Sequence, residues 1–316
     1  MEVNSFMEWR KSELKKIIFM LMVLIVGTVH GENITYKKNK KILTSIQAVY
    51  SIAKSLTKDT DIEVYSIFDS DVSMDYGKSA FDNKDLDLSS AKDAVAVVDV
   101  AKIWHNDYLY EYARRKNIRI VEIDASYSFS GNDYLSLSLL NYKNGDRNPY
   151  VWMSFQNVIK MANIVSDDLS ELFPEDGKKI EDNLEKFSQE IKKIENEYLE
   201  KTLDLSSLSV ITLTENLDYL FNDLNIFFNY VDSNEVTVEK ISEVMKRNNS
   251  KIFVSDRWIK KEIINEIEKK GGKFLVLDNF NIPRELNEKM DPDGYLKGMK
   301  ENMEKLVEVM KFMDKK

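Results

Sequence analysis

The chain has 316 residues, no cysteine, two histidines and a formal net charge of −9 at pH 7. Without thiols it can have neither a disulfide framework nor a cysteine-based metal centre, and its acidic balance argues against a nucleic-acid partner. Its length exceeds what one ordinary core serves, so two lobes are expected.

The first element reads as a targeting segment. Arg10, Lys11, Lys15 and Lys16 precede an apolar run from Ile17 to Val26, which ends in Gly27-Thr28-Val29-His30-Gly31. The run is about ten residues, well under the roughly 20 that a spanning helix needs. Residues 1–31 are therefore expected to be a secretory signal peptide cleaved before Glu32. No cysteine follows to accept a lipid, so a soluble periplasmic or cell-surface protein is expected. His105 would be the one imidazole left after cleavage.

Four short, β-branched apolar runs follow, Lys41–Ile46, Ile62–Phe68, Ala94–Val100 and Ile118–Asp124, with helical spacing between them. Their apolar character is continuous, which fits strands buried on both faces of a parallel sheet. The same rhythm returns in Leu208–Leu213, Ile226–Val231, Lys251–Ser255 and Lys273–Asp278. Between the two sets, Phe173-Pro174-Glu175-Asp176 marks a helix start. Ile180, Leu184, Phe187, Ile191, Ile194 and Tyr198 then recur at steps of three and four, predicting one helix of about 25 residues, close to 40 Å long. The expected fold is α/β, two (βα)4-type lobes with parallel sheets joined by one long backbone helix. The boundaries are 32–173 for the first lobe, 174–204 for the helix and 205–316 for the second lobe. A connector this stiff predicts limited lobe closure.

Catalytic signatures are absent: there is no glycine-rich phosphate loop, no G-x-S-x-G and no nucleophile with a placed base. An enzyme is not expected. Trp104, Trp152 and Trp258 read as core anchors, Trp104 alternatively as a lining of the cleft.

The order of features resembles the metal-binding periplasmic solute-binding proteins, the zinc and manganese receptors of ABC importers. Asn148-Pro149-Tyr150-Val151-Trp152-Met153 is similar to the family's Asp-Pro-His-x-Trp-Leu segment. Thr214-Glu215-Asn216-Leu217-Asp218-Tyr219 resembles its His-or-Glu segment, and Phe274-Leu275-Val276-Leu277-Asp278 its last strand. Tyr295-Leu296 through Asn302, Leu306 and Met310 is similar to its closing helix, so the likeness runs from about Lys41 to Met310.

The resemblance implies four metal ligands in the cleft between lobes, at the carboxyl ends of strands. Carried over, they fall on Asp75, Tyr150, Glu215 (or Thr214 by strict counting) and Asp278, with His105 as a further candidate. None of the family's histidine positions holds a histidine, and the remaining set is all oxygen. Such a set favours hard ions, namely manganese, calcium, magnesium or ferric iron; with the resemblance, the expected cargo is manganese or zinc ahead of ferric iron. The resemblance also implies a monomer that delivers its ion to a membrane ABC permease. The alternative is a metal-free member that acts in surface adhesion or interaction, or binds another small ligand.

Overall fold

Continuous apolar runs build both sheets. The computed structural model describes residues 39–68, 72–73, 76–82, 86, 89–128, 133–287 and 289–314; the expected signal peptide and Asp75 lie outside the described residues. In chain order the first half holds β1 (Lys41–Thr44), α1 (Gln47–Leu56), β2 (Glu63–Ser66), α2 (Lys78–Phe81), β3 (Ala96–Asp99), α3 (Leu109–Lys116) and β4 (Val121–Asp124). Its sheet is parallel in the order β2-β1-β3-β4. Every residue of β3 is buried, as expected of a central strand covered on both faces.

Two helices follow, α4 (Phe155–Leu172) and α5 (Gly177–Thr202). Then come β5 (Ser209–Thr212), α6 (Asp218–Asp223), β6 (Phe227–Tyr230), α7 (Ile241–Asn248), β7 (Ile252–Ser255), α8 (Lys261–Lys269) and β8 (Lys273–Val276). This sheet is also parallel, in the order β6-β5-β7-β8, so the two halves share one design. A small antiparallel pair, β9 (Glu285–Leu286) and β10 (Lys289–Met290), precedes the closing helix α9 (Gly294–Asp314). Two-residue strands carry no readable periodicity, and this pair was not expected from the sequence.

The long helix α5 has 26 residues. It packs against α4, α9 and α1. Ile180, Phe187, Ile191 and Tyr198 of the expected stripe are buried, with Leu184 and Ile194 packed beside them. Buried Asn183 donates from Nδ2 to the carbonyls of Leu56 (3.0 Å) and Lys58 (2.7 Å), satisfying backbone acceptors at the end of α1. Toward its other end Tyr198 contacts Met310 Sδ at 3.4 Å. One apolar cluster runs without a break from Ile42 in the first sheet, through α4 and α5, to Val254 in the second sheet and Met310 in α9.

Of Trp104, Trp152 and Trp258, Trp152 is fully buried. Trp258 is 76 % exposed and is not a core anchor. It sits in the connection after β7, where its ring leans on Phe274 at 6.1 Å and solvent covers the rest. Among the described residues no helix is long and apolar enough to cross a membrane.

Candidate functional site

In a parallel sheet ordered 2-1-3-4 the chain leaves β1 toward one side and β3 toward the other, which opens a crevice at the carboxyl ends of those two strands. Both sheets have this switch point, and each is lined by polar groups. At the first, Ser45 donates from Oγ to both carboxylate oxygens of buried Asp107 at 2.9 Å. Asp107 also accepts from the backbone N–H groups of Val100 and Leu109. Burial outweighs these bonds and pushes the Asp107 carboxyl up to about 6. Ser45, Gln47, Ser73, Trp104, Asn281 and Pro283 line a small cavity there.

At the second switch point the centre is Asp256, the residue after β7. Its side chain is 1 % exposed, and its Oδ2 accepts from Asn216 Nδ2 (2.6 Å), Asn279 Nδ2 (2.9 Å) and Thr214 Oγ1 (3.2 Å). Arg257 Nε lies 3.1 Å from Oδ1. The segment before α4 closes over this cluster. Tyr142 donates to Asn216 Oδ1 (2.8 Å), Lys143 N donates to Glu215 Oε1 (2.7 Å), and Asn148 Nδ2 donates to the Glu215 carbonyl (2.7 Å). The Tyr142 phenol is pushed well up by burial and by the fields of Tyr150, Glu215 and Asp256, so Tyr150 and Glu215 face one group.

The stretch Asn279-Phe280-Asn281 links the two switch points. Asn279 reaches Asp256, while its carbonyl accepts from Trp152 Nε1 at 3.0 Å. Two residues on, Asn281 lines the first cavity, and its buried Oδ1 has no hydrogen-bond partner. Between them Phe280 holds φ +63°, a left-handed conformation that costs a bulky residue energy and persists only where packing imposes it. The packing is visible: the Phe280 ring lies 4.7 Å from that of Tyr295, tilted by 43°. A Cβ on Gly298 would come within 2.5 Å of that ring, so only glycine admits this approach.

The sequence-derived candidates distribute unevenly over this frame. Tyr150 is buried, its ring 5.3 Å from that of Trp152. Thr214 and Glu215 stand at the second switch point. Asp278 is engaged elsewhere: its Oδ1 accepts from Phe280 N at 2.8 Å, and its Oδ2 lies 3.8 Å from Arg284 Nε. Burial raises its carboxyl while Arg284 and Lys305 pull it down. His105 is exposed in the turn after β3. The sequence reading passed over Asp256, Asn279 and Asn281. The available signal for Asp256 was its place directly after the second strand of a switch-point pair.

Two parallel four-stranded sheets of matching order, with a 26-residue helix between them in the chain, are the fold of the solute-binding proteins. A family model described as zinc-uptake complex component A, periplasmic (ZnuA), matches residues 42–309, and the chain belongs to that family. Among solved structures it is similar to FpvC from Pseudomonas aeruginosa in complex with Mn2+ (TM-score 0.67, 16 % identity, covering 87 % of this chain and 100 % of that one). It is similar also to the Zn(II)-bound ZnuA-like domain of Streptococcus pneumoniae AdcA (TM-score 0.65, 17 % identity, 86 % and 99 %). A third is the laminin-binding protein Lbp of Streptococcus pyogenes (TM-score 0.63, 18 % identity, 85 % and 98 %). At these identities the likeness is one of fold. No curated protein matches the chain.

Proposed function

We propose that this chain is the extracytoplasmic receptor of an ABC importer, capturing a divalent metal ion in the interlobe crevice and handing it as cargo to a membrane permease. Asp75, Tyr150, Glu215 and Asp278 are the proposed ligands, from lobes at 32–173 and 205–316 flanking the helix at 174–204. The observation that carries the reading is the family match over residues 42–309; the buried Oδ1 of Asn281, with no hydrogen-bond partner in the cavity beside β1, supports it. An acceptor without a donor is costly in an interior, and a cation is one group that satisfies it. Oxygen ligands favour Mn2+ over Zn2+. A 26-residue helix packed against α1, α4 and α9 supports capture by small adjustments rather than wide closure.

A second reading, a metal-free member that binds another ligand or acts through its surface, is favoured by Arg284 beside Asp278 and by the donors that occupy Asp256. Metal analysis of the purified chain, then calorimetric titration with Mn2+, Zn2+ and Fe3+, separates the two. Capture predicts Mn2+ binding that weakens in Asp278→Ala and Glu215→Gln. No uptake of any of the three at millimolar concentration establishes the metal-free reading.

A further inference from the structure

We propose that the carboxyl ends of β3 and β4 form a second cation site, built by Asp99, Glu122 and Asp124 and suited to a hard divalent ion such as Ca2+. The strand register sets Asp99 beside Asp124 and Val97 beside Glu122. Paired residues of parallel neighbours project to the same side, and Glu122 and Asp124 are two apart on one strand, so all three carboxylates share a face. One oxygen from each lies within 4.8 Å of the others. Oxygens bound to a common Ca2+ at 2.3 to 2.6 Å stand no more than about 5 Å apart, so the three can meet on a single ion.

A second observation points to a ligand. Asp99 is fully buried, and its Oδ2 has no hydrogen-bond partner. Its Oδ1 has one long contact, from Ala101 N at 3.5 Å. A buried carboxylate oxygen left in this state carries the full cost of its lost hydration. Its surroundings add to the cost, because Asp107, Asp124 and Glu122 all act on it with like charge. Lys102 is the cation facing Glu122 and Asp124. Asp124, by contrast, is held in place, accepting from Lys102 N (2.7 Å), Ser126 N (2.8 Å) and Ser126 Oγ (2.5 Å). Glu122 is half-buried and gives the cluster its contact with solvent. A divalent ion would complete Asp99, offset the like charges and find one ligand already oriented. The site shares no residue with the proposed cleft ligands, so the two assignments stand or fall separately.

The test uses the full chain stripped with chelator, with Ca2+ as probe in calorimetry and thermal unfolding. Wild type is expected to bind Ca2+ and to melt higher with it. Asp99→Asn and Glu122→Gln are each expected to weaken that affinity on the order of tenfold or more, since the count of charged ligands tunes such sites. Glu122→Gln alters a half-buried group and keeps the test open should Asp99→Asn fold poorly. In chelator, Asp99→Asn is expected to melt no lower than wild type, because burial and the neighbouring carboxylates already disfavour the charged form of Asp99. Absence of Ca2+ binding at millimolar concentration overturns the proposal, as does binding that neither variant weakens. Asp278→Ala, which reads the cleft, is scored separately.

Discussion

Trp152 and Asn279 meet through one buried hydrogen bond, from the indole Nε1 to the backbone carbonyl at 3.0 Å. It pins the start of α4 to the stretch that follows β8. Trp152→Phe leaves that carbonyl unpaired and opens space beside it, and it is expected to cost roughly 2–4 kcal/mol. Urea unfolding measures this as a lower midpoint at an unchanged slope.

Asp256 holds Thr214, Asn216 and Asn279 on a single oxygen. Asp256→Ala strands all three donors and is expected to destabilise by on the order of 3 kcal/mol. Asp256→Asn keeps the shape and one acceptor oxygen but replaces the other with an amide NH2 donor, and should cost about half as much. A loss below about 0.5 kcal/mol in the alanine variant would show that water replaces the carboxylate freely.

Asn183 fastens the long helix to the end of α1 through two carbonyls. Asn183→Ala is expected to lower stability by about 1–3 kcal/mol. Hydrogen exchange at the last turn of α1 should quicken more than exchange in the middle of α5, where Ile191 remains buried.

Asp168, on α4, has its carboxyl pushed up to about 6 by burial, then by the charges of Glu171 and Asp167. The folded state therefore favours the neutral acid. That contribution is fully present below the ordinary carboxylate value of 3.8 and is lost as pH rises through about 6. Asp168→Asn should raise the melting temperature at pH 7, on the order of 1 kcal/mol or 2–4 °C, and leave it unchanged near pH 3.5. Melting curves across that range check the sign.

The fold was legible because strands buried on both faces must be continuously apolar: AVVD in β3 and IFVS in β7 have no other easy home. The stripe of α5 was legible because a helix of 26 residues repeats its signal many times. The site was less so. Asp256, Asn279 and Asn281 come from connections after different strands, and only the shared strand order brings Asp256 and Asn279 to one switch point and Asn281 to the other. Asp278 and Asn279 show how narrow the margin is: in extended chain, neighbours face opposite ways. The first meets Arg284 while the second meets Asp256. Trp258 was misread because an aromatic beside a strand gives no sign of which connection will leave it in water.

The apolar cluster that passes from Ile42 to Met310 has a bearing on how such a protein can be cut, fused or inherited. Either half expressed by itself would expose the side of α4 and α5 that the other half covers, so neither is a portable module. Melting should be one cooperative transition, reported alike by Trp152 fluorescence and by backbone circular dichroism.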